Sequence, residues 1–187
     1  EDLDFSSNQT QVSLDEVRKI FDRIDYVHIK KDYVSGATIK IEKLQYSGPL
    51  SQPNSLKVEI DFLQNVILPP QILRYQNVWG VNFTVSVMDI REICAEKIRA
   101  MSDRARYRDF YDIYLILDTH KIDLKEVVDL VKQKEIRQPI TKTNIEQNWK
   151  IVLTQKEAEM DQIYYSRKIE DGAIEEMIQS LPLTKIV

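Results

Sequence analysis

Leu56-Lys57-Val58-Glu59-Ile60-Asp61-Phe62 alternates apolar and charged residues without a break. Side chains leave a strand on opposite faces at every step, so Leu56, Val58, Ile60 and Phe62 are set to cover a core, while Lys57, Glu59 and Asp61 face the other way. Upstream, Tyr26 to Val34 and Thr38 to Tyr46 alternate in part, and Ser35-Gly36-Ala37 between them reads as a hairpin connection. Gly48-Pro49 through Pro53-Asn54 is loop. Further up, Ser13-Leu14-Asp15-Glu16 has the form of a capping box. Behind it Leu14, Val17, Ile20, Phe21 and Ile24 recur at helical spacing. The chain opens on Asp2-Leu3-Asp4-Phe5, a short alternating stretch ended by Ser6, Ser7 and Asn8.

Downstream, Pro69-Pro70 and the segment from Asn77 to Asn82 punctuate a mixed region before another short strand near Phe83 to Val87. From Asp89 on, apolar residues return every three or four positions in segments 89–101, 108–119, 123–134, 142–153 and 156–180. Asp123 and Thr143 suit helix starts, Pro139 a break, and Pro182 lies just past the last segment. Strands first and helices after predict an α+β fold, a mixed sheet followed by a helical C-terminal half, divided as 1–88 and 89–187.

With 187 residues, 43% of them hydrophobic and 30% charged, the chain has the composition of an ordinary globular domain. A net charge of −4 argues against binding polyanions by bulk charge, though a local basic groove is compatible with it. The single cysteine, Cys94, excludes an internal disulfide and a cysteine-built metal site. No run of about 18 apolar residues exists to span a bilayer, and Glu1-Asp2-Leu3-Asp4-Phe5 lacks the order of a signal peptide. The expectation is a soluble, cytoplasmic protein. His28 and His120 stand alone and read as structural, as does Cys94, while Trp79 and Trp149 read as core or partly buried anchors.

Three features bear on chemistry. Asp2 and Asp4, two apart on a strand, project to one face, where two carboxylates invite a hard cation such as Mg²⁺; Asp61 on another strand could add a third oxygen. By spacing alone the same pattern also suits solvent-facing charge. In Ile90-Arg91-Glu92-Ile93-Cys94-Ala95-Glu96-Lys97-Ile98-Arg99-Ala100-Met101, Lys97 falls inside the apolar stripe of Ile90, Ile93, Cys94, Ile98 and Met101. A lysine there either snorkels to water or reaches a polar cleft to meet phosphate. Finally, Arg104, Arg106 and Arg108 approach a helix start and form a candidate anion-binding corner. Asp109 in its first turn suits the helix dipole and salt bridges to the arginines, an explanation that fits Asp112 less well.

Asp2-Leu3-Asp4-Phe5, then Asp89 to Ala100, then Arg106-Tyr107-Arg108-Asp109-Phe110-Tyr111-Asp112-Ile113-Tyr114, together resemble the AbiEii/AbiGii toxin family of nucleotidyltransferases. The resemblance runs from Glu1 to about Leu117. It implies a minimal nucleotidyltransferase fold similar to that of DNA polymerase β, with Asp2 and Asp4 holding Mg²⁺ on a nucleoside triphosphate. It implies functional roles for Lys97 and Asp112, with Lys97 on phosphate oxygens and Asp112 either holding Lys97 or positioning the acceptor hydroxyl. The implied acceptor is an RNA, tRNA included, or a protein, and the implied partner an antitoxin, with no membrane. The family's Gly-Gly-Thr/Ser loop lies upstream of its Asp-x-Asp motif, and this sequence opens at the aspartates with Gly36, Gly48, Gly80 and Gly172 far apart. The resemblance is therefore N-terminally incomplete. The alternative expectation is a non-catalytic remnant of the fold that binds RNA or protein.

Overall fold

A computed structural model describes residues 2–7, 12–48, 50–63, 65–134, 138–161, 165, 167–183 and 185–186. Asn8 of the expected break and Pro49 of the expected loop lie outside these. The chain divides into two units, Glu1–Val66 and Ile67–Val187.

The first unit is a four-stranded mixed sheet with one helix. Strands β1 (Asp2–Ser6), β2 (Val27–Val34), β3 (Thr38–Ser47) and β4 (Pro53–Asp61) lie in the order β1-β4-β3-β2, with β1 parallel to β4 and the other pairs antiparallel. The alternation of β4 sets the faces. Val58 lies opposite Ile41 and Ile60 opposite Ile39, and these form a buried cluster with Leu44 and Val17 of helix α1 (Leu14–Phe21). That helix begins as its sequence dictates: Ser13 Oγ accepts the Glu16 N–H at 3.2 Å, and Glu16 accepts the Ser13 N–H at 3.0 Å. Ser35 closes the β2–β3 hairpin, its Oγ accepting the N–H of Thr38 at 3.0 Å.

The second unit opens with a hairpin of β5 (Gln71–Gln76) and β6 (Asn82–Val87). Strand β5 is missing from the sequence expectation, because every residue of it is exposed and no buried face imposes alternation. Asn77 Oδ1 ties the turn by accepting the N–H groups of Trp79 and Val81, both at 3.0 Å, and Gly80 supplies the positive φ of 81°. Trp79 on this turn is 84% exposed, which corrects its expected role as an anchor.

Five helices complete the unit: α2 (Ile90–Asp103), α3 (Tyr107–Thr119), α4 (Leu124–Gln133), α5 (Lys142–Met160) and α6 (Asp171–Ser180). Their shared core includes Cys94, Ile98, Met101, Phe110, Ile113, Val127, Ile145, Trp149 and Ile174. Trp149 packs on Phe110 with ring centroids 5.2 Å apart. The expected single helix over 156–180 is not found. Helix α5 continues to Met160 and a separate α6 begins at Asp171, with 162–164 and 166 outside the described residues. Lys156 of α5 bonds Asp171 at the start of α6 at 2.5 Å, and Glu159 accepts the Tyr107 N–H at 2.7 Å. No described helix is long and apolar enough to cross a membrane.

Candidate functional site

In the first unit, the parallel register sets Asp2 beside Lys57, Asp4 beside Glu59 and Ser6 beside Asp61. Asp2 and Asp4 therefore stand on the face opposite the α1 core, as the period of two requires. Among the described residues neither carboxylate has a hydrogen-bond or ion-pair partner, and both residues are exposed. Their neighbours are already engaged. Glu59 is bonded by Lys40 at 3.0 Å, and Asp61 Oδ1 accepts the Leu63 N–H at 2.9 Å. The described residues contain no group of three or more His, Cys, Asp or Glu placed to hold a metal. A cavity of about 570 Å³ in this unit lies elsewhere, lined by Arg18, Asp22, Asp25, His28, Lys30 and Asp32. Its arginine is spent internally, since Arg18 grips Asp32 through two bonds of 2.8 and 3.0 Å.

In the second unit, α2 and α3 bring Lys97, Asp112 and Arg104 together around Asp109. Lys97 Nζ donates to Asp109 Oδ1 at 3.1 Å and to Asp112 Oδ2 at 2.7 Å. Spacing three apart on α3 puts both carboxylates on one face toward α2. They differ in environment: the side chain of Asp109 is 1% exposed and that of Asp112 33%, with Lys97 between them at 22%. Asp109 also receives Arg104, Nε on Oδ2 at 2.8 Å and Nη2 on Oδ1 at 3.3 Å. Burial alone would raise the pKa of Asp109, but the Arg104 hydrogen bond and the charges of Lys97 and Arg104 outweigh it and hold the carboxyl below its ordinary range.

The arginine corner is less open than its sequence suggests. Arg104 is committed to Asp109, and the Tyr107 N–H at the start of α3 is taken by the Glu159 carboxylate from α5. Arg106 caps α3 without a side-chain bond, and Arg106 and Arg108 are exposed. Cys94 is fully buried, and burial pushes its thiol up to about 12, as suits an inert core group.

Sequence reasoning missed a second charge cluster on α2. Glu92, fully buried, accepts the N–H groups of Ile67 at 2.7 Å and Leu68 at 3.0 Å and is bonded by Lys134 at 2.7 Å, while Lys134 also meets Glu96 at 3.0 Å. Glu92 and Glu96 lie one turn apart, but on the side of α2 away from the apolar stripe of Ile90, Ile93, Cys94, Ile98 and Met101, so the stripe gave no signal that they are covered.

Comparison with known proteins decides the family. Residues 1–182 match the family described as nucleotidyl transferase AbiEii toxin, type IV TA system. The chain belongs to the AbiEii nucleotidyltransferase toxin family. Its fold is similar to that of MenT4, a nucleotidyltransferase toxin from Mycobacterium tuberculosis H37Rv. The TM-score is 0.51 at 22% identity, over 70% of this chain and 47% of that one. This AbiEii-family chain thus spans about half the length of that solved relative. No curated protein matches it.

Proposed function

We propose that this AbiEii-family chain transfers a nucleotide from a nucleoside triphosphate to an RNA, tRNA included, or a protein acceptor, as the toxin partner of a cognate antitoxin. The observation that carries the reading is the unpartnered pair Asp2 and Asp4 on one exposed sheet face, beside a Glu59 that Lys40 neutralises. Two hard oxygen donors suit Mg²⁺, which takes one or two carboxylates and fills its remaining positions with water and substrate phosphates. When bound, the ion would neutralise triphosphate charge and help orient in-line attack.

The chain's own residues contribute positioning and electrostatics. Asp2 and Asp4 would hold the ion. Lys97, a compact cation with its ammonium at the edge of a buried cluster, would bind phosphate oxygens. Asp112 holds Lys97 in this structure and, once released by phosphate, would be free to accept a hydrogen bond from the acceptor hydroxyl.

Incubation with each labelled nucleoside triphosphate, Mg²⁺ and total RNA tests the reading. Transfer labels RNA or protein, and the label falls by roughly 100-fold or more in Asp2→Asn/Asp4→Asn and in Lys97→Ala. Shortened, unlabelled RNA would identify a nuclease. Calorimetry showing no Mg·nucleotide binding would favour a non-catalytic binding module.

A further inference from the structure

We infer that Arg104 is a positioning residue which neutralises the buried Asp109, leaving the charge of Lys97 available to phosphate, with Asp112 as the anion that phosphate displaces. The inference rests on the role proposed above for Lys97. It goes further by separating the two aspartates and by giving Arg104 a role other than contact with substrate.

The geometry distinguishes the partners of Lys97. Asp109 is buried, receives two guanidinium donors and the ammonium, and has no exposed oxygen to exchange. Asp112 is bonded by Lys97 alone among the described residues, and a third of it faces solvent. An incoming phosphate oxygen can replace Asp112 without uncovering a buried charge, whereas replacing Asp109 would strand a desolvated carboxylate beside Arg104. The charges point the same way. Lys97, Arg104 and Asp109 sum to one positive charge, which Asp112 balances. Without Arg104 the inner pair sums to zero, and phosphate has no net charge to meet.

Calorimetric titration of the chain with inorganic tripolyphosphate tests this, with Lys97→Ala defining the background. Arg104→Gln is expected to weaken binding about ten-fold, the order expected for losing one partly screened unit charge nearby. Arg104→Lys should retain most of the affinity, and Asp112→Asn should bind several-fold more tightly. The deciding variant is Arg104→Gln/Asp109→Asn, which removes both charges and leaves no unpaired buried ion. If Arg104 acts through Asp109, the double variant regains wild-type affinity. If it stays as weak as Arg104→Gln, Arg104 touches phosphate directly and the inference falls. It falls equally if Arg104→Gln binds like wild type.

Should wild type bind no more tripolyphosphate than Lys97→Ala, both this inference and the phosphate role of Lys97 are overturned. The expected binding pattern without labelled RNA or protein would overturn the transferase reading alone.

Discussion

Asp89 serves two purposes at the head of α2. Its carboxylate caps the helix by accepting the Arg91 N–H at 2.9 Å, and it also pairs with the Arg91 guanidinium and the Gln71 amide. The Arg91 hydrogen bond holds its pKa down at about 2, against an ordinary 3.8. A depressed carboxyl stabilises the fold above its unfolded pKa and loses that contribution as pH falls through the folded value. Asp89→Asn keeps a capping oxygen and removes the charge, so it should cost at most roughly 2 kcal/mol at neutral pH. The gap between variant and wild type should close between about pH 4 and pH 2 in denaturant titrations. A gap independent of pH would mean that the charge is not what matters. Glu92 is the costlier residue to change. Glu92→Ala leaves the N–H groups of Ile67 and Leu68 without their acceptor, while Lys134 keeps Glu96, and should lower unfolding free energy by roughly 2–4 kcal/mol in urea melts.

At the scale of elements, legibility depended on how local the cause is. The α1 capping box involves residues three apart, so sequence alone predicts it. Ser13→Ala should cost roughly 1 kcal/mol, read as earlier loss of the sheet unit in hydrogen exchange. The β5–β6 hairpin depends on register and a turn tied by Asn77, with Ile72, Leu73, Val78 and Trp79 exposed, so no burial pattern marked it. Trp79 should therefore be fully quenched by acrylamide and emit as an indole in water. Trp79→Phe should leave only the blue-shifted emission of Trp149, which is buried against Tyr107 and Phe110. Blue-shifted, shielded emission lost with Trp79 would contradict the exposed turn.

Across the whole molecule, the cores of the two units differ greatly in extent. The sheet unit buries Val17, Ile39, Ile41, Leu44 and Val58, whereas the helical unit buries a continuous cluster drawn from all five helices. Amides of α2 and α3 around Ile98 and Phe110 should exchange slowest, and those of the exposed strands β1, β5 and β6 fastest among the strands. The sequence by itself determined the features that short-range periodicity dictates: the strands before helices, Asp2 and Asp4 on one face, Lys97 within an apolar stripe, and the paired aspartates of α3. Only the tertiary structure decided the partners. Asp109 lies twelve residues from Lys97, and Glu159 is 52 from the Tyr107 N–H it bonds. Periodicity sets the direction in which a side chain leaves its own element, but an ion pair needs two groups within about 4 Å, and that distance is fixed by how α2, α3 and α5 pack. Lys97 accordingly meets one buried and one exposed carboxylate, and Arg104 turns inward to Asp109.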